Sequence, residues 1–211
     1  WGQARTIEMK GGIDLVTDAD RASEAALLEF LRGRFPGAAI LAEESGASGA
    51  GAGGLRFYVD PLDGTTNYAH GVPHFAVNVG VADASGLAAG ATYDPLRDEL
   101  YRAARGEGAF LGAERLRPSA RTRLGGSLLV TGFPYDVHQN FEMPLRIFGE
   151  YMRRARAIRR FGSAALALLR LGEPRLVQGA IKDLADPSPG KVASAAHALG
   201  LGRQAAALEP L

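Results

Sequence analysis

The residues best suited to chemistry stand together at Asp60-Pro61-Leu62-Asp63-Gly64-Thr65-Thr66-Asn67. Asp60 and Asp63, on a tight turn, can point into one small volume. Carboxylates that close repel unless a cation lies between them. Carboxylates with backbone carbonyls and water are the ligand set of a hard divalent ion such as Mg2+. Gly64 lets the backbone approach an anion closely. The N–H groups and hydroxyls around Thr65 and Thr66 can hold phosphate oxygens beside the metal. An Asp-Pro turn followed by an Asp-Gly turn explains either dipeptide alone. The whole string carries more acid and hydroxyl than a turn needs.

Further acids, Asp20 and the pair Glu43-Glu44, lie at or just past the ends of apolar segments. Strand ends on one edge of a sheet converge, so these acids can meet Asp60 and Asp63. A di-metal phosphatase needs such a set: one ion lowers the pKa of the attacking water and the other stabilises the leaving oxygen. Thr65 then orients the water, and Glu43 or Asp20 accepts its proton. Each outlying acid also has a plainer reading. Asp20 suits the first turn of a helix, where Thr17 and Asp20 match a capping box. Glu43-Glu44 suits a solvated loop end.

The elements that must position these residues read as follows. Arg21 to Phe35 is a helix with an apolar face of Ala22, Ala25, Ala26, Leu27, Leu28 and Leu31, ended by Pro36-Gly37. Ala38 to Leu41 is a short strand. The Gly/Ala/Ser run 46–54 reads as a mobile loop. Leu55 to Val59 is a buried strand that stops at Asp60-Pro61, since proline cannot continue a ladder. His74 to Ala82, Leu87 to Tyr93, Glu99 to Ala104 and Gly106 to Gly112 read as further strands. This pattern is α+β. Around Pro118 the chain turns polar and arginine-rich, which divides it into a metal- and phosphate-binding domain, 1–118, and a smaller α/β domain, 119–211. The second contains a strand at Ser127 to Thr131, a helix at Asn140 to Ala155, a strand at Ala157 to Phe161 and an apolar helix at Ser163 to Leu171.

The string from Asp60 through Asn67 and on to Pro73 resembles the first signature of the inositol monophosphatase-like, Mg2+-dependent and lithium-sensitive phosphatases. Ala42-Glu43-Glu44-Ser45, Leu15-Val16-Thr17-Asp18-Ala19-Asp20 and Phe161-Gly162-Ser163-Ala164-Ala165-Leu166 resemble three other segments of that family. The resemblance runs from about Ile7 to about Leu171. It implies a layered α/β/α/β/α sandwich, usually dimeric, and hydrolysis of a phosphate monoester of a polyol or sugar, inositol monophosphate foremost, by metal-activated water. It implies Glu43, Asp60, Asp63 and the Leu62 carbonyl as ligands of two or three Mg2+ ions. Asp20 would assist the water, Thr65 would hold it, and Gly64 and Thr65 would bind phosphate. Gly162, Ser163 and Ala164 would line the alcohol side; Lys10 receives no role.

The family's second signature, a Trp-Asp followed by small residues, is not recognisable. Ile181-Lys182-Asp183-Leu184 and Lys191-Val192-Ala193-Ser194 resemble strands that flank it, so a tract between about Val177 and Ile181 is taken as omitted. Asp183 and Asp186 then read as turn acids. The alternative function is a regulatory or RNA- or protein-binding homologue that keeps the fold and has weak or no catalysis.

Composition is permissive. The chain has 211 residues, 46% of them hydrophobic, a net charge of +1 and no cysteine. That excludes disulfides and thiolate catalysis and gives no electrostatic case for nucleic acid or an anionic membrane. No apolar run reaches membrane-spanning length. No secretory signal is visible, although the chain starts at Trp1. The expected location is cytoplasmic and the expected partners are a small phosphate monoester and a second copy in a homodimer. The arginines from Arg153 to Arg160 read as a solvated helix end, and His70 as packing or hydrogen bonding.

Overall fold

The structure, a computed structural model, describes residues 6–9, 15–51, 54–120, 122–133 and 137–171. A short antiparallel pair, β1 (Ile7–Met9) with β2 (Leu15–Thr17), leads into helix α1 (Asp18–Arg34). There follow β3 (Ala39–Ala42), β4 (Gly46–Ser48), β5 (Arg56–Asp63) and the short helix α2 (Thr65–Ala69). A meander comes next: β6 (Ala76–Asp83), β7 (Gly86–Asp94), β8 (Glu99–Ala104), β9 (Gly108–Leu111) and β10 (Glu114–Leu116). The last described elements are β11 (Leu128–Val130), α3 (Glu142–Arg154), β12 (Ala157–Arg159) and α4 (Ala164–Leu171).

Eight strands form one sheet in the order β10-β9-β8-β7-β6-β5-β3-β4. β3 and β5 run parallel and every other neighbouring pair is antiparallel. Side chains alternate across a strand, so the sheet has two distinct faces. Phe57 and Val59, with Val81 and Val79 opposite them, pack against Leu28 and Leu31 of α1. The other face carries Ala76, Tyr101 and Ala103, covered by Ala165, Leu166 and Leu169 of α4. Each such leucine stabilises the fold by roughly 1.5–3 kcal/mol when fully buried. α4 also contacts β11 of a parallel β11–β12 pair, and α3 lies against β12. The order α1, large sheet, α4, small sheet, α3 is the expected α+β sandwich. No helix among the described residues is long and apolar enough to cross a membrane.

Several local expectations are corrected. α1 starts at Asp18, not Arg21, because the Thr17–Asp20 capping box forms and sets the N-cap at Thr17. Its buried stripe is Asp20, Glu24, Leu28 and Leu31, while Ala22, Ala25 and Ala26 are exposed. Residues 46–48 are not loop but β4, which pairs with the outer edge of β3. A sheet edge needs backbone partners, not large side chains. β5 does not stop before Pro61 but runs to Asp63. The region between Val177 and Ile181, where a tract is expected to be missing, lies outside the described residues, as do Lys10, Asp183 and Asp186.

Candidate active site

The end of β5 positions most of the chemistry. Val59 is paired on both sides, with Ala42 of β3 and Val79 of β6. Beyond it the register slips: Asp60 faces Asn78, whereas Asp63 faces Ala76. One extra residue on β5 makes a bulge, a feature common beside active sites. Pro61 sits in that bulge, where a missing N–H breaks no ladder bond. Ser23 of α1 donates to the Pro61 carbonyl at 2.8 Å, and the Leu62 N–H donates to Asp60 Oδ1 at 3.1 Å. Gly64 then takes the left-handed conformation, φ 98°, which a side chain adopts only at a cost. No side chain caps α2, so the amides of its first turn have no partner within the helix.

Thr65 links two elements. Its hydroxyl stands 3.0 Å from the Leu62 carbonyl and 2.9 Å from Asp20 Oδ1 on α1. The other oxygen of Asp20 accepts from the Thr17 N–H at 2.9 Å and the Thr17 hydroxyl at 2.5 Å. Asp20 is only 1% exposed. The helix cap and the Thr65 hydroxyl therefore share one carboxylate, and the capping-box reading of Asp20 holds. Because the Thr65 hydrogen is committed to Asp20 and Leu62, its lone pairs remain to accept a hydrogen bond.

Glu43 follows β3 directly, and its N–H donates to the Val59 carbonyl at 3.0 Å, which places it beside β5. The turn that carries it is held from below by Glu24, which sequence reading missed. Glu24 is 4% exposed, and its two carboxylate oxygens accept from the N–H groups of Glu44 and Ser45 at 2.8 and 3.0 Å. The signal was available: Asp20, Glu24, Leu28 and Leu31 share one helix stripe. Glu24→Ala is expected to destabilise the chain by about 1–3 kcal/mol, because two amides lose their acceptor. Glu24→Gln, which keeps one acceptor, should cost less; thermal unfolding of both variants checks this.

Asp63 reaches the start of α4. One of its oxygens accepts from the Ser163 hydroxyl and, at 3.3 Å, from the Ala165 N–H. Gly162 is adjacent, with φ 96° and Asn67 packed where a Cβ would lie. Ala164 is the first residue of α4. His70 enters through its backbone, as the C-cap of α2. Asn78 and Thr92 form a buried hydrogen-bonded pair on the face that carries Asp60, a polar ladder that the valine-rich pattern hid.

Glu43, Asp60, Asp63 and the Leu62 carbonyl are all oxygen donors, chemically apt for a hard divalent cation. Among the described residues, no three Asp, Glu or His side chains stand grouped as a metal site. Asp60 and Asp63 are instead bonded to nearby N–H and O–H donors. What the fold brings together is Asp20, Thr65 and Leu62 in one unit, and Asp63 with Ser163 and Ala165 in another.

Comparison with known proteins identifies the family. Residues 1–176 match the model of the inositol monophosphatase family. The match ends before the two segments beyond Val177 that resemble the family's later strands. "Nus factor SuhB" of Pasteurella multocida is 39% identical over 160 residues, 76% of this chain and 60% of that protein. "Inositol-1-monophosphatase" of Synechocystis is 41% identical over 177 residues, 83% of this chain and 62% of that protein. The crystal structure of extragenic suppressor protein suhB from Bartonella henselae superposes with a TM-score of 0.72 at 40% identity, covering 81% of this chain and 65% of that one. The chain thus spans 60% to 62% of the length of these curated relatives. With the family model matching residues 1–176 and relatives about 40% identical over most of the chain, the chain belongs to the inositol monophosphatase family.

Proposed function

We propose that the chain hydrolyses a phosphate monoester of a polyol or sugar, with inositol monophosphate the leading substrate. The observation that carries this reading is the Thr65 hydroxyl held between Asp20 and the Leu62 carbonyl at the bulged end of β5. Thr65 accepts a hydrogen bond from a water and so turns a lone pair of that water toward phosphorus. Asp20 keeps Thr65 in that orientation, and Asp20 or Glu43 takes the proton. Amides of Gly64 and Thr65 at the uncapped start of α2 bind phosphate oxygens. Gly162, Ser163 and Ala164 face the alcohol. Glu43, Asp60, Asp63 and the Leu62 carbonyl would hold Mg2+, which when bound would acidify water and neutralise charge on the leaving oxygen.

Thr65→Val, nearly isosteric but without the hydroxyl, is expected to lower kcat for phosphate release by roughly 10²–10⁴. Thr65→Ser should retain most of it. Equal rates for wild type and Thr65→Val would remove the threonine from the reaction.

A second reading has its own support. Relatives named "Nus factor SuhB" recur among the matches. α3 and its N-cap Phe141 also leave large apolar side chains exposed, Met143, Leu145, Ile147, Tyr151 and Met152 among them, and exposed apolar surface can mark an interaction site. On this reading the chain keeps the fold as a regulatory or binding protein with weak or no catalysis. Phosphate assays on inositol monophosphate, nucleotide and sugar phosphates separate the two: release from one class supports the enzyme, and none from any class supports the regulator.

A further inference from the structure

The signature loop and the loop before α4 are joined by contacts that the reaction itself does not require. Asn67 Nδ2 donates to the carbonyls of Phe161 and His74, at 2.5 and 2.7 Å. His74 Nε2 lies 3.2 Å from the Ser163 carbonyl. A carbonyl only accepts, so Nε2 carries the hydrogen. The His74 ring also packs on Phe161 with centroids 5.0 Å apart. Gly162 is what lets the loops come this close: a Cβ there would sit 2.8 Å from Asn67 Cγ. Residues 161, 162 and 163 are thus each held by Asn67 or His74, partners nearly ninety or more positions earlier in the chain.

We infer that Asn67 and His74 are positioning residues that lock the alcohol-side loop, residues 161–163, against the phosphate-side signature. The inference rests on the hydrolytic reading above and adds a specificity determinant to it. Neither residue touches the reacting atoms. Their work is to fix how far the Gly162–Ser163 backbone stands from Thr65, and with it which alcohols fit between. Misplacement of about 1 Å at such a boundary can cost a hundredfold in rate. The loss should fall on substrates whose alcohol contacts residues 162–164. p-Nitrophenyl phosphate, whose leaving group makes no polyol contacts, should be spared.

The test uses the full chain and three variants: His74→Leu, His74→Gln and Asn67→Ala. His74→Leu and Asn67→Ala are expected to raise KM for inositol monophosphate by about tenfold or more, with p-nitrophenyl phosphate turnover within about twofold of wild type. His74→Gln, whose amide can still donate to Ser163, should restore the wild-type KM. Hydrogen exchange supplies a readout independent of catalysis: amides 161–167 should exchange faster in His74→Leu and Asn67→Ala while those of β6 and β7 do not change. Unchanged exchange at 161–167 overturns the inference, as does equal loss on both esters. A wild-type chain inactive on both esters sinks the hydrolytic reading instead, and exchange then still decides whether the loops are locked.

Discussion

Asp20→Asn should leave the fold intact and remove most phosphate release, by roughly 10²–10⁴ in kcat. The separation follows from the bonds Asp20 makes. One oxygen accepts from both the N–H and the hydroxyl of Thr17, and the other accepts from Thr65. Asparagine can turn its single oxygen toward Thr17 and keep the capping box. Its NH2 then faces Thr65 and donates to the threonine oxygen. That occupies a lone pair which would otherwise receive the water, and it removes the negative charge that polarises the hydroxyl. Asp20→Ala is different: the Thr17 donors lose a buried acceptor, and stability falls by about 1–3 kcal/mol. Steady-state rates and thermal unfolding on the same two variants check both halves. If Asp20→Asn retains wild-type kcat, Asp20 is a helix cap and nothing more.

Asp63→Asn is expected to raise the Mg2+ concentration needed for half-maximal activity by more than about a hundredfold. Loss even of a residue that only supports a ligand typically costs ten- to a hundredfold in affinity. The substitution removes charge while keeping an oxygen that can accept from Ser163 and Ala165, so α4 should stay in place. Asp63→Ala should add a structural penalty of about 1–3 kcal/mol, because those two donors then lose their acceptor. Titration calorimetry with Mg2+ reads the first effect and thermal unfolding the second. Wild-type Mg2+ affinity in Asp63→Asn would take this carboxylate out of the metal site.

How much of this was legible in the sequence depends on the kind of interaction. The large sheet was, because valine-rich alternation marks β6 and the Asp94-Pro95 turn separates β7 from β8. The family was legible too, because the Asp60–Asn67 string that carries the resemblance is contiguous. Less visible were features whose cause lies elsewhere in the fold. β4 is a strand because β3 offers an edge, not because Gly-Ala-Ser favours extension. β5 passes through Pro61 because β6 tolerates a bulge there. The buried stripe of α1 was misread because hydrophobicity points to its alanines, whereas Glu24 is buried by the amides it serves. Asn67 lies inside the recognised string and His74 directly after it, but their partners Phe161 and Ser163 are set by tertiary contact alone.

The central claim is that oxygen donors at the bulged end of β5 hold Mg2+ for hydrolysis of a phosphate monoester. Its most direct test is the rate of phosphate release from inositol monophosphate as a function of Mg2+ concentration, for the full chain and for Asp60→Asn. The account predicts a saturable rise from a metal-free baseline that Asp60→Asn abolishes. Release without Mg2+, release unaffected by Asp60→Asn, or no release at any Mg2+ concentration would contradict it.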